Sequence, residues 1–112
     1  MSNKKVPESV ASLTGEFVSQ MRELYGDRLN KVILYGSYAR GEQHEDSDVD
    51  YLVVLNDQKI KTLQEISLIS PITSSLGLKY NVWISAIPFT TEKLSSGNTP
   101  LGLNILKEGI LL

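Results

Sequence analysis

The chain has 112 residues, the size of a single domain, and 41% of them are hydrophobic, which supports one core and excludes a disordered chain. Eleven basic and thirteen acidic side chains leave a net charge of −2, which argues against tracking a long nucleic acid backbone. Cysteine is absent and His44 is the one histidine, so disulfides, thiolate metal sites and histidine-rich metal sites are all excluded.

The polar start, Met1-Ser2-Asn3-Lys4-Lys5, lacks the apolar stretch of a secretory signal, and no apolar run approaches the roughly 20 residues of a membrane span. A cytoplasmic protein without membrane contact is therefore expected. Val10, Leu13, Phe17, Met21 and Leu24 recur at helical spacing, which predicts a helix over residues 8–25, entered beside Pro7 and stopped by Gly26. Val32-Ile33-Leu34-Tyr35 is a short apolar run expected to form a strand buried on both faces. Ser37-Tyr38-Ala39-Arg40 reads as a helical turn closed by Gly41, and residues 42–47 as an acidic loop. Val49 to Leu55 predicts a second strand, followed by Asn56-Asp57 as a turn and helix N-cap. The connection between these strands lacks a long crossover helix, so antiparallel pairing is expected.

Ile60, Leu63, Ile66, Ile69 and Ile72 predict a helix from Lys59 to about Leu76, kinked or divided at Pro71 and ended by Gly77. Tyr80 to Ile87 predicts a third strand stopped by Pro88. A short helix start over Thr90–Leu94, a loop over Ser95–Pro100 and a last helical stretch over about Leu101–Lys107 complete the pattern. Past Gly109, Ile110-Leu111-Leu112 reads as an edge strand or a packed tail. The expected fold is α/β (α+β), one domain over residues 1–112, with a short mixed sheet and helices packed mainly on one face.

The chemistry concentrates in residues 36–50. Gly36 follows a buried strand and precedes a helical turn, so its missing side chain lets backbone N–H groups approach an anion, and Ser37 adds a hydroxyl donor. Asp48 and Asp50 stand two apart and project to the same face of the predicted strand. Paired carboxylates repel each other unless a cation lies between them, and Mg²⁺ characteristically bridges one or two carboxylates to substrate phosphates. The bland alternative is a solvated acidic turn; Gly36-Ser37 at this spacing, with apolar strands on both sides, favours a metal–phosphate site. Arg40, one helical turn from Gly36, is placed either to reach phosphates or to pair with the acidic loop. His44 reads as exposed, Lys59 and Lys61 as solvated surface, and Trp83 and Tyr80 as core or partner contacts rather than a base-stacking platform.

Gly36-Ser37, ten intervening residues and Asp48-Val49-Asp50 resemble the signature of the polymerase-β-like nucleotidyltransferases. The fuller run from Gly36 to Leu55 is similar to their minimal form, the MNT domains, including the antitoxin half of HEPN/MNT toxin–antitoxin pairs. The resemblance implies a polymerase-β-like fold and attack on the α-phosphate of a nucleoside triphosphate, with pyrophosphate leaving. It gives Gly36, Ser37 and Arg40 to the nucleotide, and gives Asp48 and Asp50 to Mg²⁺ (or Mn²⁺) as catalytic ligands. By the same resemblance ATP is the substrate, AMP goes to a tyrosine of a HEPN ribonuclease toxin, and the pair forms a hetero-oligomer. Two further readings stay open. One is an antitoxin that binds nucleotide without turnover and neutralises its partner by complex formation. The other is the catalytic subunit of a small-molecule or RNA nucleotidyltransferase.

One departure bears on activity. Active members of that family carry a third carboxylate on the later strand, and Tyr80 to Ile87 contains no Asp or Glu. Asn81 is the nearest substitute for that third position, able to coordinate through oxygen but unable to act as a base; loss of a general base typically costs about 10²–10⁴-fold.

Overall fold

The computed structural model describes residues 4–112, so Met1-Ser2-Asn3 of the polar start lie outside the described residues. The stripe of Leu13, Phe17 and Met21 winds into helix α1 (Ala11–Tyr25), entered through a 3₁₀ turn at Glu8–Val10 and left at Gly26, whose φ of 54° suits glycine. Strand β1 (Leu29–Tyr35) buries Val32, Ile33 and Leu34 on its two sides, as the unbroken apolar run predicts. A single turn of helix α2 (Ser37–Arg40) and an acidic loop return the chain into β2 (Val49–Leu55), which pairs with β1 antiparallel. Helix α3 (Thr62–Tyr80) then carries the chain back along the sheet, and β3 (Ile84–Thr90) lies parallel to β2. Short helices α4 (Thr91–Ser96) and α5 (Pro100–Glu108) precede β4 (Ile110–Leu111), which pairs antiparallel with β1.

The mixed sheet has the order β3-β2-β1-β4. Strand alternation sorts its side chains into two cores. Val32, Leu34, Tyr51 and Val53 face the long helices α1 and α3, whereas Ile33, Leu52 and Val54 meet Phe89, Leu94 and Ile105 on the side of α4 and α5. The two long helices thus cover one face, and the short C-terminal pair closes the other. On the first side Tyr51 stacks on Phe17 with ring centroids 4.2 Å apart, and its hydroxyl shares a hydrogen bond of 2.8 Å with that of Thr14. This contact fixes β2 so that its even-numbered residues, Asp50 among them, project to the opposite face.

Several boundaries differ from the sequence expectation, each for a local reason. Helix α3 runs unbroken through Pro71, whose exposed position lets water take the carbonyl that proline cannot serve. Gly77 does not end it. A Cβ there would stand 2.8 Å from the Val82 carbonyl oxygen, so the glycine makes room for the returning chain while the helix continues to Tyr80. The stop is Asn81 in the left-handed region at φ 55°, which short polar side chains tolerate. The expected third strand over Tyr80–Ile87 is therefore shifted to Ile84–Thr90 and passes through Pro88, which an edge strand can accept because one row of its N–H groups has no ladder partner. Asp57 does not cap α3, which begins at Thr62; it pairs instead with Arg28 at 3.0 Å. The capping expected near Thr90 is present, its hydroxyl accepting from the Lys93 N–H. No helix among the described residues is long and apolar enough to cross a membrane.

Candidate nucleotide and metal site

Antiparallel pairing brings the end of β1 against the beginning of β2, with Tyr35 opposite Asp50. Gly36, the next residue, has φ 76° and ψ −154°, and its carbonyl accepts from the N–H groups of Ala39 and Arg40 at 3.1 Å each. The first N–H groups of α2 have no helical partner, so they remain as donors beside the Ser37 hydroxyl. A Cβ on Gly36 would collide with Oδ2 of Asp50. Glycine is thus required twice, once for its dihedral angles and once because the carboxylate lies directly against the turn. The structure brings Gly36, Ser37 and the acidic pair to one end of the sheet, as the spacing implies.

Asp50 lies on β2 and is half-buried, whereas Asp48 stands just before the strand and is exposed. Burial raises the Asp50 carboxyl to about 6, the Asp48 charge adds to the rise, and the Arg40 charge opposes it. The Tyr35 phenol beside it is pushed up to about 12, first by burial and then by the Asp50 charge. Neither carboxylate has an ion pair among the described residues. Arg40 turns its guanidinium to Glu42 at 3.4 Å and Glu108 at 3.5 Å, the acidic-loop alternative of the two roles open to it. Both contacts are long and solvent-exposed, a class worth about 0–1 kcal/mol, so they yield readily to a polyanion.

The donor set suits a hard divalent cation. Two carboxylates converge without a basic partner, and no group of three or more His, Cys, Asp or Glu that could hold a metal occurs among the described residues. A cation here would complete its oxygen shell from phosphates and water, which is how Mg²⁺ is ordinarily held.

Asn81 requires correction. It is not on the third strand, because the left-handed cap of α3 holds it before that strand begins. The residue that parallel pairing sets beside Asp50, and on the same face, is Ser85. Neutral Ser85 therefore occupies the strand position that the sequence reading gave to Asn81. Sequence reasoning missed it because the β2–β3 register is a tertiary property. His44 is exposed, its Nδ1 accepting only from the Asp46 N–H at 3.3 Å. Tyr80 packs against the α1–α3 core and bonds to Glu16, whereas Trp83 is 80% exposed, outside the core.

Residues 15–112 match the model of the nucleotidyltransferase domain family. MJ0604 of Methanocaldococcus jannaschii, named as a candidate protein adenylyltransferase, is 36% identical over 98 residues, covering 87% of this chain and 91% of that protein. The protein adenylyltransferase MntA of Thermococcus cleftensis is 35% identical over 75 residues, 67% of this chain and 73% of that one. A toxin–antitoxin crystal structure with AMP-PNP superposes with a TM-score of 0.61 at 22% identity, covering 86% of this chain and 69% of that one. A candidate nucleotidyltransferase from Sulfolobus solfataricus gives a TM-score of 0.64 at 17% identity, over 98% of this chain and 90% of that one. At these identities the two superpositions establish the fold.

Proposed function

The chain belongs to the nucleotidyltransferase domain family, and on that footing we propose that it transfers AMP from ATP to a hydroxyl of a partner protein, acting as the antitoxin of a toxin–antitoxin pair. The observation that carries this reading is the Gly36 turn packed directly against Asp50, with Asp48 two residues ahead and neither acid paired to a base. The named activity of MJ0604 and MntA supports adenylyl transfer, and the toxin–antitoxin complex with AMP-PNP supports both the nucleotide and the partner. The acceptor of this reading is a tyrosine of a HEPN toxin.

In the proposed reaction the turn N–H groups and the Ser37 hydroxyl hold the β- and γ-phosphates, and Arg40 leaves its two loose carboxylate contacts to reach them. Asp48 and Asp50 would hold Mg²⁺, which supplies charge neutralisation at the α-phosphate when bound. The acceptor oxygen bonds to the α-phosphorus as the bridging oxygen to the β-phosphate leaves with the bonding pair, as pyrophosphate. The hydroxyl proton passes to water, because Ser85 offers no carboxylate to take it.

Ser85 also favours a second reading, in which the chain binds Mg²⁺–ATP and silences its partner by occlusion. Mass spectrometry of the partner after incubation with the chain, ATP and Mg²⁺ separates the two. Transfer predicts a partner heavier by AMP, with the gain lost in Asp48→Asn/Asp50→Asn although the complex still forms. An unmodified partner that is nevertheless silenced, equally by the double variant, would establish occlusion instead.

A further inference from the structure

Helix α3 has a solvent side without charge. The helix turns Glu65, Ile69 and Leu76 into the core. The opposite side, Leu63, Ser67, Ser70, Pro71, Ser74 and Leu78, keeps helical spacing, and every one of these residues is exposed. No Asp, Glu, Lys or Arg occurs in the thirteen residues from Ile66 to Leu78. A surface helix ordinarily carries charge on its outer face, whereas the centre of a protein interface is depleted of it. The stripe runs into an open cavity of about 510 Å³ between the last turns of α3 and residues 81–84. Ser74 and Leu78 belong to both, and Val82, Trp83 and Ile84 line the cavity with them. No charged side chain among the described residues lines it.

The stripe has nearly the same order from either end. Turned end for end about a point between Ser70 and Pro71, it sets Leu63 against Leu78 and Ser67 against Ser74. This is the self-complementarity of a two-fold contact, in which residue i meets j and j meets i. Two copies of α3 packed antiparallel bring Leu63 of each beside Leu78 of the other, at the cavity that Trp83 borders. Leu63, Leu78 and Trp83 are 81%, 86% and 80% exposed, so each copy offers protruding apolar groups and a space beside them. The polar groups match as well. Pro71 deprives the Ser67 carbonyl of its helical donor, and the Ser74 hydroxyl has no hydrogen bond among the described residues. The same alignment sets that donor of one copy opposite that acceptor of the other. No like charges are pressed together along the stripe. Covering the stripe and Trp83 removes roughly 700 Å² per copy from water, near the ~800 Å² per partner of a standard interface.

We propose that this face is the interface of a homodimer: α3 packs antiparallel on α3 of a second copy, and Leu63 of each copy seats beside Leu78 and Trp83 of the other. The pairing is independent of the transfer reading. Alternation along β2 sends Asp50 to the side of α4 and α5, so a contact through α3 leaves the candidate site of each copy uncovered.

Trp83 is the only tryptophan, which makes its emission a direct reporter of the contact. Within one chain Leu63 is remote from it, since Leu63 and Leu78 alone are separated by about 22 Å along the helix. Sedimentation equilibrium of the full chain should show the mass doubling with a micromolar midpoint, and Trp83 emission should shift to the blue over the same concentrations. Leu63→Lys, at an exposed side chain, should keep the circular dichroism spectrum and weaken dimerisation at least tenfold, the equivalent of about 1.4 kcal/mol. It should also abolish the blue shift, an effect that reaches Trp83 only through the other copy. The chain has no cysteine, so single replacements report proximity. Ser70→Cys, beside the two-fold, should cross-link under mild oxidation; Ser75→Cys, exposed on the same helix a quarter turn away, should not. A chain that stays monomeric at millimolar concentration would overturn the proposal. So would a dimer whose Trp83 emission ignores Leu63→Lys, or equal cross-linking at both positions, because either places the contact elsewhere. A monomer whose emission shifts on neutral lipid vesicles would give the face to a membrane surface instead.

Discussion

Asp50 enters β2 half-buried against the Gly36 turn, its carboxyl raised from the ordinary 3.8 to about 6 by burial first and the Asp48 charge second, with Arg40 in opposition. Asp50→Asn removes that charge at nearly constant volume, so it should stabilise the ligand-free domain while removing one ligand of the proposed metal site. The difference between 3.8 and about 6 corresponds to about 3 kcal/mol at 1.36 kcal/mol per pH unit. Solvent reaches part of the group, and screening reduces this to about 1–2 kcal/mol. Folded Asp50 keeps its proton to a higher pH than the unfolded chain does. The native state therefore binds more protons between about pH 4 and pH 6, and stability falls as pH rises through that window. Well below 3.8 both states are protonated and the charge costs nothing; well above 6 the whole cost is present. Thermal unfolding without divalent cations, followed by circular dichroism from pH 4 to pH 8, reads the difference between variant and parent. It should be small at pH 4, about a fifth of its full size, and reach roughly 5–10 °C in Tm by pH 8, given the entropy of unfolding for a domain of this size. Saturating Mg²⁺–ATP should then stabilise the parent and leave the variant unmoved. A variant no more stable than the parent at pH 8, or favoured as much at pH 4 as at pH 8, would refute the burial argument.

Ser85→Asp sets a third carboxylate beside Asp50 and should raise AMP incorporation at saturating Mg²⁺ by about a hundredfold or more, the low side of what a positioned base contributes. The same variant should be less stable without metal, because a third like charge joins the raised Asp50; an unchanged transfer rate would remove Ser85 from the account of slow turnover. Gly36→Ala combines an unfavourable φ of 76° with a clash against Asp50, and should cost about 1–3 kcal/mol of stability. It should also abolish ATP binding in a calorimetric titration, and retained affinity would place the triphosphate elsewhere.

Much of this molecule is legible in its amino-acid order because the signals are local. The apolar run Val32–Leu34 reads as a buried strand, the Leu13, Phe17 and Met21 spacing as one helical face, and Gly36 followed by Asp48 and Asp50 as a glycine turn meeting paired acids. The short connection between β1 and β2 even fixes their antiparallel pairing. Where sequence reasoning slipped, two local signals competed. Gly77 and Pro71 read as helix breakers, yet burial of Ile69 and Leu76 against the core carries α3 past both, and Asn81 becomes a cap rather than a strand residue.

The meeting of Gly36, Ser37, Asp48 and Asp50 is thus determined by the sequence, since all four lie within fifteen residues of one strand–turn–strand unit. The tertiary structure alone decides what stands beside it. The parallel register of β3 rests on how α3 packs and where it ends, and that register puts neutral Ser85 next to Asp50 and leaves Trp83 uncovered at the edge of the sheet. Pairing between strands separated by a whole helix depends on long-range packing, which no short window of sequence contains.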